Sequence, residues 1–108
     1  VAQFVEAVLA QQECTQRGDW RRGNRHADAA TSAAQRLLAA GERAIDAFSE
    51  LLKHSSEDVR GTAAAYLLKD RTSLAVAALR PLTKSKGLVA LGARETLKRY
   101  EQGVLEIK

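Results

Sequence analysis

The sequence predicts an all-α fold, and three observations carry that prediction. Apolar residues recur at spacings of three and four along most of the 108-residue chain, the period of an amphipathic helix. Ala (20) and Leu (14) dominate the apolar set, enough for one packed core and too much for intrinsic disorder. Pro occurs once and Gly seven times, too sparse for a turn-rich all-β chain. The length fits a single domain over residues 1–108.

Each element follows from local signals. Val1, Phe4, Val5, Val8 and Leu9 form one stripe on a helix running to about Gln16. Arg17-Gly18-Asp19 breaks the pattern, and Asp19 or Asn24 can cap a second helix by accepting from first-turn N–H groups. Ala29, Ala33, Ala34, Leu37 and Leu38 supply its inner face, and Gly41 ends it as a left-handed residue. A third helix is expected from Glu42 to His54, with Ile45, Phe48, Leu51 and Leu52 inward. Ser55 and Asp58 resemble a capping box opening a fourth, which carries Val59, Ala63, Ala64, Leu67 and Leu68. Thr72-Ser73 opens a fifth with Ala75, Ala78, Leu79 and Leu82 inward, and Pro81 should kink or split it. Ser85 can cap a sixth, with Val89, Ala93 and Leu97 inward and Gly103 at its end. Val104, Leu105 and Ile107 make a short apolar tail.

A shift of 30 residues aligns these inner positions. Ile45 falls on Ala75, Leu52 on Leu82, Val59 on Val89, Ala63 on Ala93 and Leu67 on Leu97. The backward shift brings Ala29, Ala33 and Leu37 under Val59, Ala63 and Leu67. Three second helices thus share a small apolar residue, an Ala four later and a Leu four after that. The alanines let neighbouring helices approach closely and the leucines fill the space beyond. The expected architecture is a stack of about three helical hairpins, six helices in all. The first hairpin is the irregular one, with a longer connection near residues 17–24.

The stretch 45–97 resembles a HEAT-type repeat. The resemblance rests on Leu51-Leu52, then Val59-Arg60, Ala63-Ala64 and Leu67, with Pro81 where such repeats often carry a kinking proline. It implies a right-handed α-solenoid. Ala90 stands where Arg60 stands one repeat earlier, so no arginine ladder is implied. Gly18-Asp19, Asn24, the Val59-Arg60 block and Tyr100-Glu101-Gln102-Gly103 are also similar to a small bacterial family of HEAT-like domains. That family has no assigned function, so the similarity implies a fold and no activity.

Several function classes are excluded or disfavoured. No window approaches about 18 consecutive apolar residues, so no membrane span is expected. The start, VAQFVEAVLAQQE, carries Glu6 and lacks the basic stretch of a secretory signal. Met is absent even at position 1, which points to a processed or trimmed chain. Cys14 is the only cysteine, which excludes an internal disulfide and fits a reducing, cytoplasmic setting. His26 and His54 read as loop residues without metal-ligand spacing. Asp28 and Asp58 coincide under the shift and read as first-turn anions, favoured by the helix dipole, rather than as an acid/base pair. Arg60 is expected to pair with Asp28 or Asp58. No phosphate-cradling Gly-rich loop, GxSxG or HExxH occurs. The expectation is therefore no enzyme, no metal and no cofactor.

Charge and aromatic placement suggest binding. The net charge is +4, all of it beyond residue 54. Between 71 and 99, Arg71, Arg80, Lys84, Lys86, Arg94, Lys98 and Arg99 face only Glu95 in the count, a surplus that can attract anions. Trp20, Arg21, Arg22 and Arg25 interleave one aromatic with three arginines. Such a cluster can anchor a protein partner or stack on and grip nucleic acid. The alternative is that Trp20 folds back to fill the irregular connection. Off the inner stripe, Ser32, Thr62 and Gly92, then Arg36, Tyr66 and Thr96, with Lys69 and Arg99 beyond, would line a concave recognition surface. The candidate binding residues are Trp20, Arg21, Arg22, Arg25, Arg36, Thr62, Tyr66, Lys69 and Arg99. A protein-interaction module is the leading expectation, and nucleic-acid binding is the alternative. Self-association through Val104, Leu105 and Ile107 is a variant of the first.

Overall fold

The computed structural model describes residues 1–102. Gly103 and the apolar tail with Val104, Leu105 and Ile107 lie outside the described residues. Six α-helices and one 3-10 segment make up the order: α1 (Ala2–Arg17), α2 (Trp20–Ala39), α3 (Glu42–Ser49), the 3-10 segment Glu50–Lys53, α4 (Glu57–Leu67), α5 (Thr72–Leu82) and α6 (Gly87–Glu101). Among the described residues there is no strand. Chain contacts divide into two compact units, Val1–Phe48 and the part from Ser49 onward.

In the first unit α1 and α2 form an antiparallel hairpin. A two-residue link joins them in place of the expected longer connection. Gly18 adopts φ 76°, and the N–H groups of Gly18 and Asp19 donate to the carbonyls of Thr15 and Cys14 at 3.1 and 2.8 Å. This is the Schellman pair, which satisfies orphan carbonyls at a helix end and needs a residue tolerant of positive φ. Asp19 then caps α2, its Oδ1 accepting from the Arg22 N–H at 3.3 Å. The hairpin is pinned at both ends. A Cβ built on Gly23 would lie 3.6 Å from the Cys14 Cβ, so the helices come close there. At the other end Arg36 Nη2 donates to Gln3 Oε1 at 3.0 Å.

The core of this unit is Phe4, Ala7, Val8, Ala30, Ala33, Ala34, Ile45 and Phe48. The Phe4 and Phe48 rings meet edge to face, with centroids 4.9 Å apart and planes at 71°. That geometry adds about 0.5–1.5 kcal/mol beyond area burial. The expected stripes are rotated slightly. Val1, Leu9 and Ala29 are exposed, and Ala7 and Ala30 take the inner places. Gly41, at φ 106°, ends the α2 segment as expected.

In the second unit α4 is the central helix, packing on the 3-10 segment, α5 and α6. All five of its expected inner residues, Val59, Ala63, Ala64, Leu67 and Leu68, are buried. The third helix departs from expectation. Its α portion stops at Ser49 and the chain tightens into the 3-10 turn Glu50–Lys53, a common way to finish a helix. The cap of α4 is Ser56, one residue later than Ser55: its Oγ accepts from the Val59 N–H at 3.4 Å.

Neither of the next two expected caps acts as one. Thr72 Oγ1 donates backward to the Leu68 carbonyl at 2.6 Å, finishing α4 rather than opening α5. Ser85 Oγ donates to Glu57 Oε1 at 2.8 Å, and α6 begins at Gly87. Pro81 does not split α5. It is the penultimate residue, and α5 ends at Leu82 with Thr83 N–H donating to Leu79 and Arg80 carbonyls. A proline in the last turn forfeits one bond where the helix is ending anyway.

Ala33, Ala63 and Ala93 are all buried. The flanking positions follow less closely, since Leu37 and Val89 are half-buried and Ala29 is exposed.

Candidate functional site

The strongest cluster grows from the start of α2. With the Schellman turn at Gly18 and the cap at Asp19, Trp20 becomes the first residue of the helix and stands outside any core. It is 66% exposed, so it does not fold back onto the hairpin. Trp is highly buried on average in globular proteins, which makes this exposure informative. The Arg21 Cζ lies 5.7 Å from the indole centroid, within cation–π range, worth about 0.5–1 kcal/mol at an exposed site. Arg22 Nε is 3.5 Å from Asp19 Oδ2, an exposed pair of small energetic value. Arg25 is exposed and lies four residues from Arg21, on the same helical face.

The electrostatics of this turn are unfavourable for the isolated chain. Arg21 and Arg22 lie in the first turn of α2, where the helix dipole presents its positive end, and Arg25 follows one turn later. Cations there cost roughly what anions gain, about 0.3–1 kcal/mol each at low ionic strength. Asp19 offsets part of this. An anionic or electron-rich partner would relieve the remainder.

The other candidates fall into two places. Arg36 sits in the last turn of α2, bonded to Gln3. Thr62 and Tyr66 lie on one face of α4, both half-buried, with exposed Lys69 just beyond its end and exposed Arg99 on α6. The structure sets Arg21 against Trp20 and Arg22 against Asp19, with Arg25 one turn on from Arg21, and Thr62 and Tyr66 lie one turn apart on α4 with Lys69 beyond its end.

The remaining groups take structural positions. Arg60 does not pair with Asp28 or Asp58. Its Nη1 donates to the carbonyls of His54 (2.7 Å) and Ser55 (3.2 Å), and its Nη2 lies 3.8 Å from Glu57 Oε2. It therefore staples the turn that enters α4. His54 Nδ1 accepts from the Ser56 N–H at 3.0 Å. His26 lies within α2 rather than in a loop, and Asp28 is the ninth residue of that helix, well past its first turn. Asp58 is in the first turn of α4, where burial and then the neighbouring Glu57 charge raise its pKa above the ordinary value, partly opposed by a backbone hydrogen bond. Cys14 is a half-buried free thiol against the Gly23 backbone. Among the described residues no three His, Cys, Asp or Glu side chains form a metal-binding group. No helix among them is long and apolar enough to cross a membrane.

Sequence reasoning gave no role to Leu88 and Leu91 on α6, which are 67% and 52% exposed. Their three-residue spacing, off the Val89-Ala93-Leu97 line, was the available signal. The chain matches no family model, no curated protein and no solved structure.

Proposed function

We propose that this chain is a non-catalytic, cytoplasmic protein-interaction module, a right-handed HEAT-like stack of hairpins that holds its partner through Trp20, Arg21, Arg22 and Arg25. The observation that carries the reading is the exposed indole of Trp20 under the Arg21 guanidinium. Trp and Arg are the residues most enriched at interface hot spots, where each side chain is desolvated against the partner. The crowding of arginines at a helix start gives the cluster a reason to exist outside folding. Two features support the stacked arrangement: the common burial of Ala33, Ala63 and Ala93, and the packing of α4 on both α5 and α6. Arg36 in the first unit and Thr62, Tyr66, Lys69 and Arg99 in the second are further candidate contacts, each within its own unit. Self-association through Val104, Leu105 and Ile107 is a variant of the same reading.

A second reading, nucleic-acid binding, is favoured by the same cluster and by the basic surplus between 71 and 99. Affinity capture from a lysate of the source organism separates the outcomes. Proteins retained by the wild-type chain and lost by Trp20→Ala combined with Arg21→Ala support the module. An identical set from both chains removes the cluster from the role. Duplex and single-stranded DNA at about 50 mM salt test the second reading, because phosphate contacts are strongest at low salt. Binding that weakens with salt and with Arg21→Ala plus Arg25→Ala moves the assignment to nucleic acid. No binding under those conditions eliminates it.

A further inference from the structure

We infer that the outer face of α6, centred on Leu88 and Leu91, is a docking seat for an acidic amphipathic helix. This surface belongs to the second unit and is independent of the Trp20 cluster. The argument starts from how α4 receives α5. On α4 the residues Gly61, Ala64 and Leu68, spaced three and four apart, form one face. A Cβ built on Gly61 would lie 3.4 Å from Leu82 Cδ1 of α5, so α5 rests directly on that line. Ala64 and Leu68 are buried beside it, and Thr72 at the start of α5 donates to the Leu68 carbonyl. Thirty residues later the same positions on α6 are Leu91, Arg94 and Lys98. The two helices are in register on their shared inner line, because Ala63 and Ala93, and Leu67 and Leu97, are all buried. The α6 face is therefore the counterpart of one that, on α4, already holds a helix.

Among the described residues nothing buries this seat on α6. Leu88 and Leu91 are 67% and 52% exposed, and Arg94 and Lys98 are exposed where α4 has buried Ala64 and Leu68. The substitutions also specify the occupant. Arg94 is held in place by its Nε donating to the Thr83 carbonyl at 3.1 Å, and Lys86 flanks the leucines at the start of the helix. Two leucines bordered by Lys86, Arg94 and Lys98 match an apolar stripe edged by carboxylates; the acids around them are Glu95 and Glu101 on α6 and Glu57, which accepts from Ser85. A second copy offering α5 would bring Arg80 and no acid, so like charges disfavour that occupant.

The test uses the full chain and a fluorescently labelled, stapled helix of about 15 residues, with leucines along one face and glutamates beside them. A second probe replaces the glutamates with lysines. Anisotropy should show binding of the glutamate helix and not of the lysine helix. Leu88→Asp with Leu91→Asp should weaken it by about tenfold or more, and added salt should also weaken it. Arg94→Glu with Lys98→Glu should reverse the preference between the two probes. Trp20→Ala should leave all of this unchanged, which keeps the result separate from the reading of the Trp20 cluster. Equal binding of both probes, binding of neither, or unaltered binding by the Leu88/Leu91 variant would overturn the inference. Concentration-dependent dimerisation abolished by that variant would also overturn it, in favour of a second copy.

Discussion

Leu67 on α4 and Leu91 on α6 have the same side chain, yet they should respond very differently to truncation. Leu67 is fully buried at the centre of the second unit, whereas Leu91 is 52% exposed. Leu67→Ala removes three carbon atoms from a closed site. At about 0.8 kcal/mol per buried methylene the transfer loss alone is about 2.4 kcal/mol. The cavity left beside Ala63 and Ala64 brings the expected total to about 3–5 kcal/mol. A domain of this size holds roughly 5–15 kcal/mol in all, so about a fifth or more of its stability is at stake. Leu91→Ala opens no cavity and should change stability by no more than about 0.5 kcal/mol. Urea unfolding followed by far-UV circular dichroism reads both, with midpoints shifted at constant slope. A Leu67→Ala loss below about 1 kcal/mol, or equal losses at the two sites, would refute the placement of α4 at the centre of this core.

Three further outcomes follow from the same structure. Ala33→Leu, Ala63→Leu and Ala93→Leu should each cost about 1–3 kcal/mol by overpacking, while Ala29→Leu on the exposed face should be near neutral by denaturant titration. Ser56→Ala should destabilise by about 1 kcal/mol, and Ser55→Ala should have little effect; the reverse order in thermal melts would restore Ser55 as the cap of α4. Asp58 has a folded-state pKa raised by burial and by Glu57, so the native state binds its proton more tightly than the unfolded chain does. Stability from this group must then fall as pH rises from the ordinary carboxylate value through the raised one. Stability of Asp58→Asn relative to wild type should therefore improve with pH across that window, and a relative stability that stays flat or worsens would contradict the shift.

Much of the fold was legible because helical periodicity and Gly signals act locally. All six α-helices occur, Gly18 and Gly41 sit at helix ends with positive φ, and the inner residues of α4 are those the spacing implies. Failures came where several local solutions were close in energy. Ser55 and Ser56 are both acceptable caps, and neighbours decided between them: Arg60 holds the carbonyls of His54 and Ser55, leaving Ser56 to face α4. Asp19 and Asn24 were likewise both available, and the Schellman turn at Gly18 settled the start of α2 early, which also carried Trp20 into solvent. In Ala-rich helices a rotation of one residue costs little, because alanine at 29 or 30 fills the same volume. Burial at Ala30 instead of Ala29, and at Ala90 together with Ala93, is therefore beyond periodicity alone. Exposure of Leu88 and Leu91 depends on which faces of α6 the other helices cover, and that is tertiary information.

The most direct test of the functional account reads Trp20 itself, since it is the only tryptophan in the chain. Its emission and its quenching by iodide can be followed in the free chain and on titration with a captured partner. The account predicts a red-shifted, freely quenched indole in the free chain that becomes blue-shifted and protected as the partner saturates. A shielded indole in the free chain, or saturable partner binding that leaves Trp20 emission and quenching unchanged, would contradict it.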